Sequence, residues 1–154
     1  MFSNDLICDI LDFLDQNINR KISIDELSCR FYFNKDYIMR LFKKEMHCTI
    51  TEYVNHLRIF YSLKDLQETN LSILSVGINH GFTSLEYYSE MFRKIMGVSP
   101  TVYRNFTMRS IHVLEEDIIT IQNNLSKLSS FYEASDYYKN NRKKLLSKSL
   151  SIFK

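Results

Sequence analysis

The feature that most constrains this chain is an internal repeat at an offset of 50 residues. Asn34 pairs with Ser84, Asp36 with Glu86, Met39 with Ser89 and Arg40 with Glu90. The register continues through Phe42 and Phe92, Lys43 and Arg93, Lys44 and Lys94, His47 and Gly97, and Tyr53 and Tyr103. A period of this size is one supersecondary unit present twice. In each copy the apolar residues recur three and four apart, the spacing of a helix face. Ile38, Leu41 and Phe42 make that face in the first copy, and Leu85, Tyr88, Phe92 and Ile95 in the second. Three glycines and one proline in 154 residues disfavour a loop-rich or strand-rich chain. The predicted class is all-α.

Punctuation residues divide each copy into two short helices around a tight turn. In the second copy, Ile73, Val76 and Gly77 make an apolar face. Gly81 supplies the left-handed turn residue, which glycine alone adopts without steric cost. Phe82 follows as an apolar plug and Ser84 as the N-cap. Gly97 ends the helix, and Ser99-Pro100 opens the next with proline at its first position. In the first copy, Ser23 with Glu26 reads as a capping box, and Ile24 and Leu27 as buried. The turn falls near Tyr32-Phe33, and Asn34 caps the following helix. Two helices meeting at such a turn are a helix-turn-helix, whose second helix enters the DNA major groove.

Two further helices complete this part of the chain. Residues 4–18 are amphipathic, with Ile7, Ile10, Leu11, Leu14 and Ile18 on one face, and finish a core. Residues 49–68 form one helix with Ile50, Tyr53, Val54, Leu57 and Tyr61 as its stripe. At 1.5 Å per residue it spans about 30 Å, near the roughly 34 Å between successive major-groove faces. The expected organisation is a domain over residues 1–107 and a helical extension over 108–154. Within the domain, a first unit (1–48), a linker helix (49–69) and a second unit (70–107) follow one another.

The ordered set Gly81-Phe82, Phe92-Arg93-Lys94, Gly97, Ser99-Pro100 and Tyr103-Arg104 resembles the signature of AraC/XylS-type transcription regulators. The likeness runs upstream to about residue 5 and so covers about two-thirds of the chain. It implies a DNA-binding regulator, an activator that recruits RNA polymerase. Without a ligand-sensing domain ahead of it, the sequence is similar to the small stand-alone members of that family. It departs from them at Tyr32 and His47, where small residues or glycine are usual, so turns of a different shape are expected there.

The outward stripes carry the expected function. Asp36, Met39 and Arg40 on the first recognition helix, and Glu86, Ser89 and Glu90 on the second, are the base-reading candidates. Arg40 can donate bidentately to guanine O6 and N7, Met39 can touch a thymine methyl, and Asp36 and Glu86 can accept from cytosine N4. Asn34, Lys35, Lys43, Lys44, Ser84, Arg93 and Lys94 suit phosphates, which position without specifying. Glu86 and Glu90 set two carboxylates on the second helix, which weakens its approach to phosphate. Residues 1–107 hold 12 basic and 13 acidic residues, and residues 108–154 hold 8 and 5. Without net positive charge, the domain's DNA affinity depends on local arrangement. That balance also supports an alternative: a protein-interaction module that sequesters another regulator through its tail.

Other classes find little support. His47, His56, His80 and His112 share no metal-ligand spacing, no glycine loop cradles phosphate, and no catalytic constellation is present. The reading is no enzyme, no cofactor and no metal. Cys8, Cys29 and Cys48 fit no zinc pattern; an odd set without a signal peptide reads as reduced thiols in the cytoplasm. No stretch has the length and apolarity of a membrane span.

In the tail, Ile111, Leu114, Ile118, Ile121, Leu125, Leu128 and Tyr132 alternate steps of three and four, an a/d heptad pattern. Arg142-Lys143-Lys144 and Lys148 make a basic end, with Leu146, Leu150 and Phe153 as a second stripe. Either a second tail or the chain's own domain can bury the first stripe. The spacing inclines to a homodimer through 108–154. The e and g positions oppose it, because Glu115 and Asp117 would repel their copies.

Overall fold

A computed structural model describes the backbone of residues 2–108 and 113–152 and the side chains of residues 5–108 and 113–136. Among these, eight helices and no strand occur: α1 (Phe2–Gln16), α2 (Ile24–Phe31), α3 (Lys35–Met46), α4 (Ile50–Glu68), α5 (Ile73–Asn79), α6 (Leu85–Met96), α7 (Pro100–Thr107) and α8 (Glu115–Ile152). The chain is all-α, with α2–α3 and α5–α6 as the two helix-turn-helix units and α4 between them.

The helix starts follow from side-chain caps. Ser23, Asn34, Ser72, Ser84 and Ser99 each accept a backbone amide two or three residues on. Ser23 accepts the Glu26 amide, but the Glu26 carboxylate pairs with Arg20. A full reciprocal box stands at α4 instead: Thr49 Oγ1 accepts from the Glu52 amide at 3.1 Å and Glu52 Oε2 from the Thr49 amide at 2.8 Å.

Tyr32 and His47 both take φ of 60°, in the left-handed region that Gly81 (90°) and Gly97 (77°) occupy in the second unit. A side chain there costs about 1–2 kcal/mol. The α2–α3 turn differs in shape from the α5–α6 turn through its length. Phe33 alone separates the left-handed residue from the Asn34 cap, whereas Phe82 and Thr83 separate Gly81 from Ser84.

Two apolar clusters form, and α4 runs through both. Tyr53, Val54 and Leu57 join the α1–α3 residues Ile7, Leu11, Leu27, Ile38 and Phe42. Ile59, Leu63 and Leu66, half a turn round the same helix, join Val76, Phe82, Tyr88, Phe92 and Tyr103. The single stripe read from the sequence is therefore only one of two buried faces. Leu85 also departs from expectation: it is 38% exposed, and Met96 takes the last buried position of α6. Gly77 lets α5 and α6 cross closely, since a Cβ there would meet the Tyr88 ring at 2.8 Å.

The clusters are joined by Arg58. Although charged, it is only 8% exposed. Its Nε donates to the Ile18 carbonyl at 2.8 Å and its Nη2 to the Arg20 carbonyl at 2.6 Å. The guanidinium also lies 5.8 Å from the centre of the Phe82 ring. Burial lowers its pKa. Gly81 meets the same loop: a Cβ there would fall 2.7 Å from the Ile18 carbonyl oxygen. The turn of the second unit thus rests on the chain that leaves α1.

The tail packs on its own chain, against α1, α4, α6 and α7. Ile121, Leu128 and Ser135, seven residues apart, are buried. Ser135 Oγ lies 2.7 Å from the Tyr53 hydroxyl, Asn124 Nδ2 donates to the Met96 carbonyl at 3.0 Å, and the Tyr132 ring stacks on Phe60 with centroids 4.4 Å apart. Of the stripe expected to incline toward a partner tail, Ile121 and Leu128 are thus covered within the molecule. Buried polar groups give the reason: the Tyr53 hydroxyl and the last carbonyls of α6 need hydrogen-bond partners, which Ser135 and Asn124 supply and an apolar seam would not. Ile118, Leu125 and Tyr132 are half-buried, while Leu114 stays 66% exposed. Ile111, His112 and Phe153 lie outside the described residues, as do the side chains of Arg142, Lys143, Lys144, Leu146, Lys148 and Leu150.

Candidate nucleic-acid interface

Helix α3 is held by its inner face. With Ile38, Leu41 and Phe42 buried, geometry leaves Asp36, Met39, Arg40, Lys43 and Lys44 exposed on the outside. Met39, Arg40 and Lys43 line one recess of about 430 Å³, together with Ile22, Thr49 and Thr51. Arg40 Nε donates to the Asp36 carbonyl of its own helix at 3.3 Å, so the guanidinium lies along α3 and keeps its outer N–H groups available. Asn34 spends its Oδ1 on the Asp36 amide. Lys35 is bridged to Asp25 on α2, and that contact raises its pKa above the ordinary lysine value. A phosphate would therefore have to compete with Asp25 for Lys35.

Helix α6 repeats the arrangement with a different charge. Tyr88, Phe92 and Met96 are buried, and Glu86, Glu90, Arg93 and Lys94 are exposed. With the half-buried Ser89 these four line a shallow recess of about 420 Å³. The N-terminal half of this face is anionic and the C-terminal half cationic. Ser84 spends its Oγ on the Tyr87 amide.

Two features of this surface were not singled out from the sequence. One is Thr51, exposed beside Arg40 at the start of α4; the Thr49-x-x-Glu52 pattern was the readable sign of a helix N-terminus there. The other is an aromatic tip at the α2–α3 turn. Tyr32 is 92% exposed, and the Phe33 and Tyr37 rings stack at 5.3 Å in front of the α3 N-terminus. Among the described residues no cluster of His, Cys, Asp and Glu could hold a metal ion, and no two of the three cysteines form a disulfide.

The spacing of the two helices is set by α4. Its 19 residues give a rod of about 28 Å at 1.5 Å per residue. α3 packs near its beginning, and α6 packs on it from the second unit. Two exposed recognition helices on one rod define a double helix-turn-helix DNA-binding domain.

Comparison with known proteins agrees. The helix-turn-helix domain family matches residues 27–105. The probable transcription factor PqrA of Proteus vulgaris is 32% identical over 113 residues, which is 71% of this chain and 93% of that one. The transcriptional activator AarP of Providencia stuartii is 28% identical over 103 residues, 67% of this chain and 76% of that one. A transcriptional regulator of Chromobacterium violaceum with an AraC-type DNA-binding domain superposes with a TM-score of 0.61 at 24% identity, covering 68% of this chain and 94% of the other. The chain belongs to the AraC-type helix-turn-helix family of DNA-binding transcription regulators. That family is not enzymatic.

Proposed function

We propose that this chain is a sequence-specific transcription activator that lays α3 and α6 into two adjacent major grooves on one side of double-stranded DNA. The observation that carries the reading is the pair of exposed polar stripes, 50 residues apart in sequence, on helices held along the 19-residue α4. Helix α3 takes the leading part. Arg40 reads guanine, Met39 meets a thymine methyl, and Lys43 and Lys44 hold phosphates. Helix α6 binds through Arg93 and Lys94, with Ser89 at the base edges and Glu86 and Glu90 choosing cytosine or repelling phosphate. The sign of regulation rests on the likeness to AarP, an activator by its description. Activation implies RNA polymerase as a partner and a cytoplasmic location. No helix among the described residues is long and apolar enough to cross a membrane. Helix α8 acts as a brace across both units.

Selecting bound sequences from a random duplex pool tests the reading, followed by Arg40→Ala on the selected site. The variant is expected to lose about ten- to hundredfold in affinity and to relax preference at one base pair. Equal loss on selected and random DNA would reassign Arg40 to phosphate. The carboxylates of α6 favour a second reading, a relative that sequesters another regulator. A pool that yields no enriched sequence would support it.

A further inference from the structure

A further cleft lies against the tail. It lies where the tail crosses the junction of α4 and α6, and it holds about 610 Å³. Its walls are apolar: Met91 and Ile95 from α6, Leu128 and Phe131 from α8. Several of its polar groups are committed, and one of them, Glu52, is an exposed carboxylate. The Glu52 carboxylate is held by the Thr49 amide, which lowers its pKa. Asn55 Nδ2 donates to the Tyr87 hydroxyl at 2.9 Å. Asn124 Nδ2 is shared between the Met96 and Thr120 carbonyls. The Cys48 thiol, pushed up to about 11 by burial, is protonated and inert at neutral pH.

Two cations remain. Lys94 from α6 and Lys127 from α8 both line the cleft, and among the described residues neither has an ionic or hydrogen-bonding partner. A cleft of this size with an apolar wall and two unpaired cations on its lining has the form of a small-molecule site. We propose that the cleft binds a small amphipathic anion: a carboxylate held between Lys94 and Lys127, with a flat apolar body of roughly ten to fifteen heavy atoms against Met91, Ile95, Leu128 and Phe131.

The site has a consequence for DNA, which rests on the reading of the recognition face above. Lys94 belongs to both places, because it also lines the outer recess of α6 with Glu86, Ser89, Glu90 and Arg93. An anion that holds Lys94 removes it from the phosphates and leaves the two carboxylates with Arg93 alone. Ligand and DNA then oppose each other, and by linkage each weakens the other by the same factor.

The test uses the full chain, first without DNA. 2-Naphthaleneacetate is titrated by its own fluorescence, with 2-(2-naphthyl)ethanol as the neutral counterpart. The acid is expected to bind at least about tenfold tighter than the alcohol, as for one charge-assisted contact. Lys127→Met, on an exposed position of α8, should reduce that preference several-fold while leaving the alcohol's affinity and the melting temperature unchanged. Met91→Trp, which fills the apolar wall, should weaken both probes. Equal binding of acid and alcohol, an unaltered preference in Lys127→Met, or no saturable binding of the acid up to about 1 mM overturns the site. Affinity for a random-sequence duplex, measured next, should fall several-fold for the parent chain at an acid concentration that saturates it, and should fall less for Lys127→Met at the same concentration. Unchanged duplex affinity with the acid bound overturns the antagonism. A parent chain that binds no duplex strikes the DNA reading alone, because the probe titration stands without it.

Discussion

Replacing Arg58 with alanine should separate the two helix-turn-helix units energetically. Arg58 donates two charge-assisted hydrogen bonds, to the Ile18 carbonyl at 2.8 Å and the Arg20 carbonyl at 2.6 Å. A hydrogen bond to a charged group contributes about 1.5–3 kcal/mol net. The Ile18 contact is buried, so its loss counts near the upper end; water can replace the Arg20 contact, which counts near the lower. The guanidinium over Phe82 adds about 0.5–1 kcal/mol. Arg58→Ala should therefore destabilise the chain by about 5 kcal/mol, a large part of the 5–15 kcal/mol typical of a domain. Arg58→Lys keeps the charge, but one ammonium cannot reproduce the fork that spans both carbonyls. It should lose about half as much. Urea denaturation followed by circular dichroism measures both. If each variant loses under about 1 kcal/mol, the joint lies elsewhere and the Arg58 contacts are incidental.

Two further outcomes follow from the surface and the tail. Changing Glu86 and Glu90 together to glutamine should raise affinity for random-sequence DNA, because it removes two exposed carboxylates from a face that approaches phosphate; gel-shift titration reads this, and a sharp fall at a selected site would mean that the pair reads cytosine. The full-length chain should sediment as a monomer at micromolar concentration, since Ile121 and Leu128 are covered within the molecule; a dimer would restore the partner-tail reading of the heptads.

The sequence revealed local structure better than its covering. Ser23, Asn34, Ser84 and Ser99 could be assigned as caps, Gly81 as a left-handed residue and Gly97 as a helix stop, because each acts within about four residues of itself. The buried faces of α3 and most of α6 were legible from their period. Arg58 was not: a charge in mid-helix reads as surface, and only the loop at Ile18 to Arg20, 38 to 40 residues away, makes it interior. The second buried face of α4 escaped for a related reason. Apolar residues on two sides blur the period, and neither side announces which cluster it will meet. The tail taught the same lesson, since its spacing marked a stripe to be buried without identifying what buries it. On the recognition face the exposed side chains could be named from the sequence. The Lys35–Asp25 bridge and the cleft under the tail needed the packing of separate elements.

The bond between Tyr53 and Ser135 closes a loop of 82 residues. During synthesis the first unit emerges early, with its helices and most of its apolar contacts local in sequence. The buried tyrosine that α4 adds to its core nevertheless waits for Ser135 before its hydroxyl is satisfied. Until then that hydroxyl must stay hydrated, and the side of the unit beneath Phe131 and Tyr132 remains open. Contacts at such separation form late, after the entropy of closing the loop has been met. The nascent domain is therefore a looser object than the finished one, and it reaches its final rigidity only when α8 has emerged and folded back over α1 and α4.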